Sequence, residues 1–455
     1  MNADSKKSHV VSYFLIAIGV ALGVWSLSDD LLIGGGPGFG FVQGVVLAAG
    51  LLALVGAVWP KTLGVLLLVT YSSLLVALLV GEIALRTLMA PQFDSAFQTN
   101  DQYLYDLKPG VLKEYTHLEA NGGKTHVYKT NSQGYRGGEL RERTKVAKRV
   151  AVYGDSFIHA VFSKDEETFV ARLAQMIKAK GESSVEVVNA GVAGYGPDQI
   201  AVRMQTEVQG LKPDLIIVSI FAGNDFGDLA RNKLYKLNPN GQVERNKPVL
   251  APEIVFQEKL GEHELRVRRL IRNVRDALRQ SGENRDPIEV VNAAYSQQIR
   301  EYEEFAINND NIVSELRSDP YSADFSLVKN APSAGFKTRL MRGVLTDIEE
   351  YAKASEVPLV FMLIPHPIDV MKGNHASGVV DWERWPEYDS EILIRTLEKL
   401  CAEKELQCLS LLEPFRDQGG ADLYLKGGDD HWNNLGQEVA ARELTRFLEQ
   451  RALLH

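Results

Sequence analysis

The chain opens with long apolar stretches, and near residue 90 it changes to an alternation of short apolar runs and amphipathic segments. The mostly apolar stretches cover residues 10–27, 39–59 and 62–85. Each is close to the ~20 residues that an α-helix needs to cross the hydrocarbon core of a bilayer. Glycines within them are tolerated because a spanning helix satisfies its own backbone groups. The pattern predicts a membrane anchor of three transmembrane helices over residues 1–90.

The charges that flank these stretches predict the orientation of the anchor. They are Lys6, Lys7, Asp29, Asp30 and Lys61. Because basic residues favour the cytoplasmic side, the N-terminus and Lys61 are expected in the cytoplasm. No small-x-small site precedes a polar start, so the first stretch is expected to stay uncleaved. We therefore expect a multi-pass protein of the inner or plasma membrane, with residues 91–455 in the periplasm or outside the cell.

The rest of the chain has the pattern of an α/β domain. Residues 91–147 are polar and rich in turn signals, which predicts a short β-rich entry segment. Five apolar runs follow: RVAVYG (149–154), VEVVNAG (185–191), DLIIVSIFAG (214–223), VPLVFMLIP (357–365) and LQCLSLL (406–412). Buried strands separated by amphipathic helices are typical of a parallel sheet covered on both faces. Residues 148–455 are thus predicted to form a three-layer α/β/α sandwich.

Residues 228–335 interrupt this alternation. They are charged, favour helix and carry little strand signal. We interpret them as a helical insertion over the strand ends. Both a lid and a solvated helical decoration remain open.

Charge, cysteine content and motif spacing indicate which partners and cofactors to expect. With a formal net charge of −9 and no basic stripe interleaved with aromatic residues, nucleic acid is not an expected partner. Cys401 and Cys408 are the only thiols, and either a disulfide or two separate buried thiols would fit. No metal-ligand spacing is present, and no segment resembles a dinucleotide or phosphate loop. No metal or cofactor is therefore expected.

Polar clusters follow the predicted strands. Ser156 follows the first run, Gly194 lies in NAGVAGYG after the second, and Asn224 lies in AGND after the third; His431 comes just before the last helix, in GGDDHWNNLG. Parallel strands bring their carboxyl ends to one edge, where ligands bind. These residue types are the parts that nucleophilic acyl chemistry needs.

Each of these residues has a physical role in that chemistry. A serine hydroxyl is a poor nucleophile until a base takes its proton, and His431 can be that base. Asp429, two residues earlier, can accept the other imidazole N–H and fix its orientation. The Ser156 N–H, the Gly194 N–H and the Asn224 amide can stabilise the oxyanion. Gly194 also lets the backbone approach a substrate closely.

Three other residues have alternative interpretations. His159 is predicted to be a partly exposed helix residue, although it could line the pocket. His366 follows the fourth run and is a weaker candidate for lining the pocket. Arg136 could meet an anionic substrate, but a surface salt bridge is favoured.

The four blocks GDSF, NAGVAGYG, GND and DDHW resemble the SGNH hydrolase superfamily, also called GDSL-like esterases. The resemblance covers residues 130–455, and TNSQGYRG resembles a segment ahead of bacterial membrane-associated members. It implies a flavodoxin-like sandwich and ester hydrolysis or acyl transfer. It also implies the catalytic set Ser156, Gly194, Asn224, Asp429 and His431.

The last block departs from the common Asp-x-x-His pattern, because residue 428 is a glycine. The acid must then be Asp429 or Asp430. The Asp-x-His-Trp arrangement resembles the branch that includes alginate O-acetylation proteins, which favours Asp429 and leaves Asp430 facing away. That branch contains acetyltransferases, so hydrolysis is not the only reaction implied.

The resulting hypothesis is a membrane-anchored serine esterase outside the cytoplasm. Its substrates would be acyl, above all O-acetyl, esters of an envelope polysaccharide or lipid. One alternative is an O-acyltransferase that takes acyl groups from a membrane partner protein. Another is a non-catalytic binding module of the same fold.

Overall fold

The computed structural model describes residues 3–27, 40–88, 96–115, 125–181, 184–248, 332–370, 389–425 and 430–454, together with Val267 and Phe325. These residues belong to two compact units: Val267 and the described residues before Ala96 form the first, and the other described residues form the second. The first unit contains the apolar helices, and the second contains the α/β domain.

The first unit has three long helices, α1 (Ala3–Ser26), α2 (Phe41–Val58) and α3 (Val65–Leu88). Among the described residues, two segments are long and apolar enough to cross a membrane, Ser8–Ser26 and Pro60–Leu85. Two of the three predicted membrane-spanning helices therefore have the required length among the described residues, and α2 is shorter. Helix α2 has 18 residues, about 27 Å, and ends before Trp59, which has a non-helical backbone and precedes Pro60. The run of apolar letters at 39–59 was longer than the helix it forms.

Small residues let these helices approach closely. A Cβ on Gly19 would lie 2.8 Å from the Gly50 carbonyl oxygen, and one on Gly64 would lie 2.7 Å from the Gly56 oxygen. Ser12 donates a hydrogen bond to the Ala57 carbonyl across the same contact, at 2.9 Å. Small residues and polar side-chain bonds are the usual means of helix packing in lipid.

The second unit begins with two hairpins in the entry segment. Strands β1 (Phe97–Asn100) and β2 (Leu104–Leu107) pair antiparallel, as do β3 (Leu112–Tyr115) and β4 (His126–Lys129). We call β1–β2 the entry hairpin. The turn-rich composition of this region thus corresponds to short paired strands.

A parallel five-stranded sheet forms the centre of the unit. Its strands are β5 (Lys148–Gly154), β6 (Val185–Gly191), β7 (Leu215–Phe221), β10 (Leu359–Ile364) and β11 (Cys408–Ser410). The spatial order is β11-β10-β7-β5-β6, all parallel. This is the flavodoxin-like order: the second strand lies on one side of the first, and the third and later strands are added on the other side. The predicted parallel α/β sheet is confirmed.

Helices connect these strands in the expected alternation. They are α4 (Ser156–His159), α5 (Phe169–Ala179), α6 (Pro197–Leu211), α7 (Asp225–Asn232), α8 (Pro332–Ala354), α9 (Ile392–Glu403), α10 (Leu412–Gln418) and α11 (Asn434–Gln450). Helix α5 packs against α11, whereas α6 packs against α7 and α8. Because parallel connections are right-handed, reversing the strand order sends α5 and α6 to opposite faces of the sheet.

The predicted insertion follows the third strand of the sheet, β7. Most of the predicted insertion at 228–335 lies outside the described residues. Its described start contains the end of α7 and a hairpin of β8 (Tyr235–Leu237) and β9 (Val243–Arg245), so strand does occur there.

Cys401 and Cys408 form a disulfide with Cα atoms 6.2 Å apart, which joins the end of α9 to the start of β11. The structure thus selects one of the two alternatives left open by the sequence.

Candidate active site

Ser156 lies at a tight corner between β5 and α4. The corner depends on Gly154, because a Cβ there would lie 2.0 Å from the Ser219 Oγ and 2.3 Å from the Ile158 Cγ1. Asp155 is the N-cap of α4, and its Oδ1 accepts a hydrogen bond from the Phe157 N–H at 3.0 Å. Ser156 is therefore the first helical residue, half-buried at the carboxyl end of the first strand.

Asp155 is a buried carboxyl beneath this corner. Burial raises its pKa to about 7, while the Phe157 N–H and the His431 imidazole lower it and Asp228 and Asp430 raise it. Its second oxygen, Oδ2, is buried and makes no hydrogen bond to the described residues. The carboxyl is therefore electrostatically linked to the His431 segment.

Gly194 occupies a loop after β6 with a left-handed backbone, φ +78°. A Cβ there would lie 2.8 Å from the Tyr105 hydroxyl oxygen, so glycine is required both for conformation and for space. The loop is held to the first strand by the Val192 N–H, which donates to the Gly154 carbonyl at 3.0 Å. Gly194 therefore lies on a loop joined directly to the Ser156 corner.

Asn224 follows β7 and precedes α7. Its Oδ1 is buried, and its Nδ2 makes no hydrogen bond to the described residues. The following residue, Asp225, is buried and accepts a hydrogen bond from the Phe221 N–H at 2.7 Å, which closes the turn. Asp225 thus braces the loop that carries Asn224.

His431 is fixed by its backbone and by two aromatic rings. The Leu425 N–H donates to the His431 carbonyl at 2.8 Å, and Trp432 forms an isolated antiparallel bridge with Tyr424. The imidazole lies 5.2 Å from the Phe157 ring and 5.0 Å from the Phe162 ring, between centroids. Because Phe157 directly follows Ser156, this packing brings His431 beside the serine helix.

Of the two aspartates that precede His431, only Asp430 lies among the described residues. Asp429 lies outside the described residues. Asp430, expected to face away, instead has its Oδ1 3.3 Å from the His431 Nδ1, with 29% of its side chain exposed. A carboxylate at Nδ1 leaves Nε2, which is shielded from solvent, as the nitrogen that can act as base.

The four described candidates share a pattern of exposure. Ser156, Gly194, Asn224 and His431 are each half-buried. Each is followed by a buried residue, and these are Phe157, Tyr195, Asp225 and Trp432. Anchored neighbours thus hold accessible polar groups at the carboxyl ends of the first three strands and before the last helix.

Hydrogen-bond donors also collect at this edge. The Ser156 N–H, the Gly194 N–H and the Asn224 Nδ2 make no hydrogen bond to the described residues. Ser156 and Asn224 follow β5 and β7, the adjacent strands where the order reverses, which is the usual position of a ligand crevice in such sheets. Donors at one edge of a sheet are what the binding of an oxyanion requires.

His159 and Arg136 are placed differently from the sequence expectation. His159 is buried: its Nδ1 accepts from the Ala193 N–H at 3.2 Å, and its Nε2 lies 2.7 Å from the Tyr128 hydroxyl. Arg136 is also buried, and binds Asp165 at 3.2 Å and the His159 carbonyl. The sequence could not reveal the burial of His159, because the residues that cover it, Tyr128 and Arg136, belong to the distant entry segment. Burial lowers the pKa of His159 well below its usual range.

His366 packs behind the Asn224 loop. It is buried and stacks on Phe221, with ring centroids 6.0 Å apart. Its Nδ1 accepts a hydrogen bond from the Ile368 N–H at 3.2 Å, and burial lowers its pKa to about 3. These contacts give His366 a supporting position.

Comparison with known families agrees with this architecture. Residues 152–320 match the model of the GDSL-like Lipase/Acylhydrolase family. The match includes Ser156, Gly194 and Asn224, and it ends before His431. This part of the chain therefore resembles a GDSL-like lipase/acylhydrolase domain. No curated protein matches the chain at a significant level.

Several solved structures are similar to this chain at low identity. A lipase/acylhydrolase from Enterococcus faecalis is 15% identical, covering 67% of this chain and 96% of its own, with a TM-score of 0.34. The esterase EstA from Pseudoalteromonas sp. is 12% identical over 67% of this chain and 98% of its own, with a TM-score of 0.33. The acetylxylan esterase Axe2 from Geobacillus stearothermophilus is 11% identical over 68% and 96%, with a TM-score of 0.34. Because these TM-scores are low, the resemblance to GDSL-like lipases and acylhydrolases rests on the family-model match over residues 152–320.

Proposed function

We propose that this protein is a serine esterase that cleaves acyl esters with Ser156 as nucleophile and His431 as base. The observation that carries the proposal is the group of three donors at the strand ends. The Ser156 N–H, Gly194 N–H and Asn224 Nδ2 have no acceptor among the described residues, and an oxyanion would supply one.

The proposed reaction has two halves. His431 Nε2 takes the Ser156 hydroxyl proton as Oγ bonds to the ester carbonyl carbon, and the carbonyl oxygen becomes the oxyanion. When the carbon–oxygen bond to the alcohol breaks, Nε2 returns the proton to the leaving oxygen. Water then repeats the sequence on the acyl-serine and releases a carboxylic acid. This chemistry needs no metal or cofactor.

The proposed orienting acid is Asp429, on the resemblance of its block. Asp430 is the rival, because its carboxylate lies 3.3 Å from the His431 Nδ1. Its partial exposure counts against it, since water competes for a carboxylate at the surface. Either acid would keep the proton on Nδ1.

We further propose that the domain acts outside the cytoplasm and is tethered to a membrane. Two apolar helices support tethering, and many large apolar side chains on α1–α3 are exposed, as a lipid-facing surface requires. The disulfide supports an oxidising compartment. Tethering would keep the enzyme near O-acylated polymers or lipids of the envelope. The names of neighbours such as acetylxylan esterase suggest acetyl esters as the first substrates to test.

The test uses the detergent-solubilised full chain with p-nitrophenyl acetate and longer acyl esters. Ser156→Ala and His431→Ala are expected to lose turnover by a factor of ~10³ or more, because nucleophile and base act as a unit. Thermal unfolding of each variant checks that it is folded. Undiminished turnover in folded Ser156→Ala would refute serine chemistry.

The same assay addresses the two alternative functions. A burst of p-nitrophenol that stalls until a sugar is added would favour an O-acyltransferase, in which a hydroxyl group replaces water as acceptor. Absence of both burst and turnover from a folded chain would favour a non-catalytic binding module.

A further inference from the structure

The backbone around Gly194 is almost completely occupied by hydrogen bonds, to other elements and within the loop itself. The Ala193 N–H donates to His159 Nδ1 at 3.2 Å, and the Ala193 carbonyl accepts from the Tyr105 hydroxyl at 3.1 Å. The Gly194 carbonyl accepts from Arg231 at 2.8 Å, and the Tyr195 N–H donates to the Val192 carbonyl at 3.1 Å. The Gly194 N–H, in contrast, has no acceptor among the described residues, so it can donate a hydrogen bond to a substrate.

The Tyr105 bond determines where that N–H points. The Ala193 carbonyl and the Gly194 N–H belong to one planar trans peptide group, so they point in opposite directions. Holding the carbonyl against Tyr105 therefore directs the Gly194 N–H away from the entry hairpin. Glycine by itself would not enforce this orientation, because it populates positive and negative φ about equally.

The entry hairpin is firmly attached to the same loop. The Tyr195 hydroxyl donates to the Tyr105 carbonyl at 2.5 Å, and Gln199 donates to the Tyr103 carbonyl at 2.9 Å. The Tyr105 ring packs edge-to-face against Phe97 and Tyr195, with centroids 5.7 and 5.3 Å away. The ring would thus keep its position if only the hydroxyl were removed.

Resting on the proposed esterase function, we propose that Tyr105 is a positioning residue for the oxyanion-binding peptide Ala193–Gly194. The Tyr105 hydroxyl then serves the catalytic site, although Tyr105 lies outside the region that matches the family model. Loss of the hydroxyl frees the peptide to rotate. The oxyanion loses a fixed donor, while substrate binding in the ground state changes little.

The test compares Tyr105→Phe with Tyr103→Phe in the full chain. Tyr103 is a matched control, because it lies on the same hairpin and its hydroxyl donates to Asp106 at 3.0 Å. With p-nitrophenyl acetate, Tyr105→Phe is expected to lower kcat by about 10-fold to 100-fold and to leave KM within about twofold. Tyr103→Phe should leave both constants close to the wild-type values.

Hydrogen exchange of the peptide spanning residues 190–199 gives a second readout that does not depend on activity. Tyr105→Phe should exchange faster there, and Tyr103→Phe should not. Unchanged kcat in Tyr105→Phe, or equal losses in both variants, would overturn the proposal. If the wild-type chain turns over no ester, the esterase function fails. The exchange contrast then still decides whether Tyr105 holds this peptide.

Discussion

The buried carboxyl of Asp155 makes the stability of the domain depend on pH. Burial raises its pKa to about 7, above the ~4 of an unfolded aspartate. The folded state therefore holds this proton more tightly than the unfolded state does. The resulting stabilisation is fully present below pH ~4, and it is lost as the pH rises to about 7.

Asp155→Asn should remove that contribution and keep the helix cap, because an asparagine oxygen can still accept from the Phe157 N–H. We expect the thermal midpoint of the wild-type chain to fall between pH 5 and pH 8, and that of Asp155→Asn to fall less. Buried Asp198 and Asp228, with pKa values of about 7 and 6, act in the same direction, so some dependence remains. Asp101→Asn, at an exposed turn, is the control. Parallel pH curves for wild type and Asp155→Asn would contradict the argument.

The two aspartates before His431 can be separated by amide substitutions. Asp429→Asn is expected to lower kcat by about 100-fold or more, since an amide can stabilise the wrong imidazole tautomer. Asp430→Asn should cost about 10-fold or less, because its carboxylate is partly solvated. Turnover of p-nitrophenyl acetate at several pH values gives the comparison. A larger loss in Asp430→Asn would reassign the orienting role to the contact at 3.3 Å.

At the scale of elements, the corner between β5 and α4 depends on the absence of a side chain. Gly154→Ala would put a Cβ 2.0 Å from the Ser219 Oγ and 2.3 Å from Ile158, inside the packed sheet edge. We expect a destabilisation of about 1–3 kcal/mol, with turnover reduced because the serine moves with the corner. Gly210→Ala is the matched control. It lies in α6 with nothing within 4 Å of its Cβ, and should be neutral or slightly stabilising.

Thermal unfolding and turnover measured on the two glycine variants would check this difference. Equal midpoints in Gly154→Ala and Gly210→Ala would mean that the corner relaxes without cost.

The elements of the sheet were predictable because their signals are local. Runs such as VEVVNAG are rich in apolar and β-branched residues, and β6 occupies the residues predicted for it. The supports of the site were not predictable, since they depend on contacts between distant segments. Tyr105 meets Ala193 across 88 residues, and Tyr128 meets His159 across 31. The local sequence around His159 does not indicate that residues of the entry segment pack against it.

At the scale of the molecule, the disulfide links fold to compartment. Cys401 and Cys408 are seven residues apart and are joined in the folded domain. A short loop of this kind stabilises a domain by about 2 kcal/mol in the chain-entropy model. If the domain faces an oxidising compartment, the bond should be present in cells. The same domain kept in the cytoplasm should have free thiols.

The prediction can be tested by trapping thiols in bacteria that express the full chain. Acid quenching, denaturation and alkylation with a polyethylene-glycol maleimide should give no gel shift unless a reductant is added first. Residues 96–455 produced without α1–α3 should shift without reductant and should unfold at a lower temperature. The Cys401→Ser/Cys408→Ser double variant is the control for labelling, and in the full chain it should reproduce that lower midpoint. A full chain that is alkylated without reduction would put the domain on the reducing side of the membrane and overturn the proposed topology.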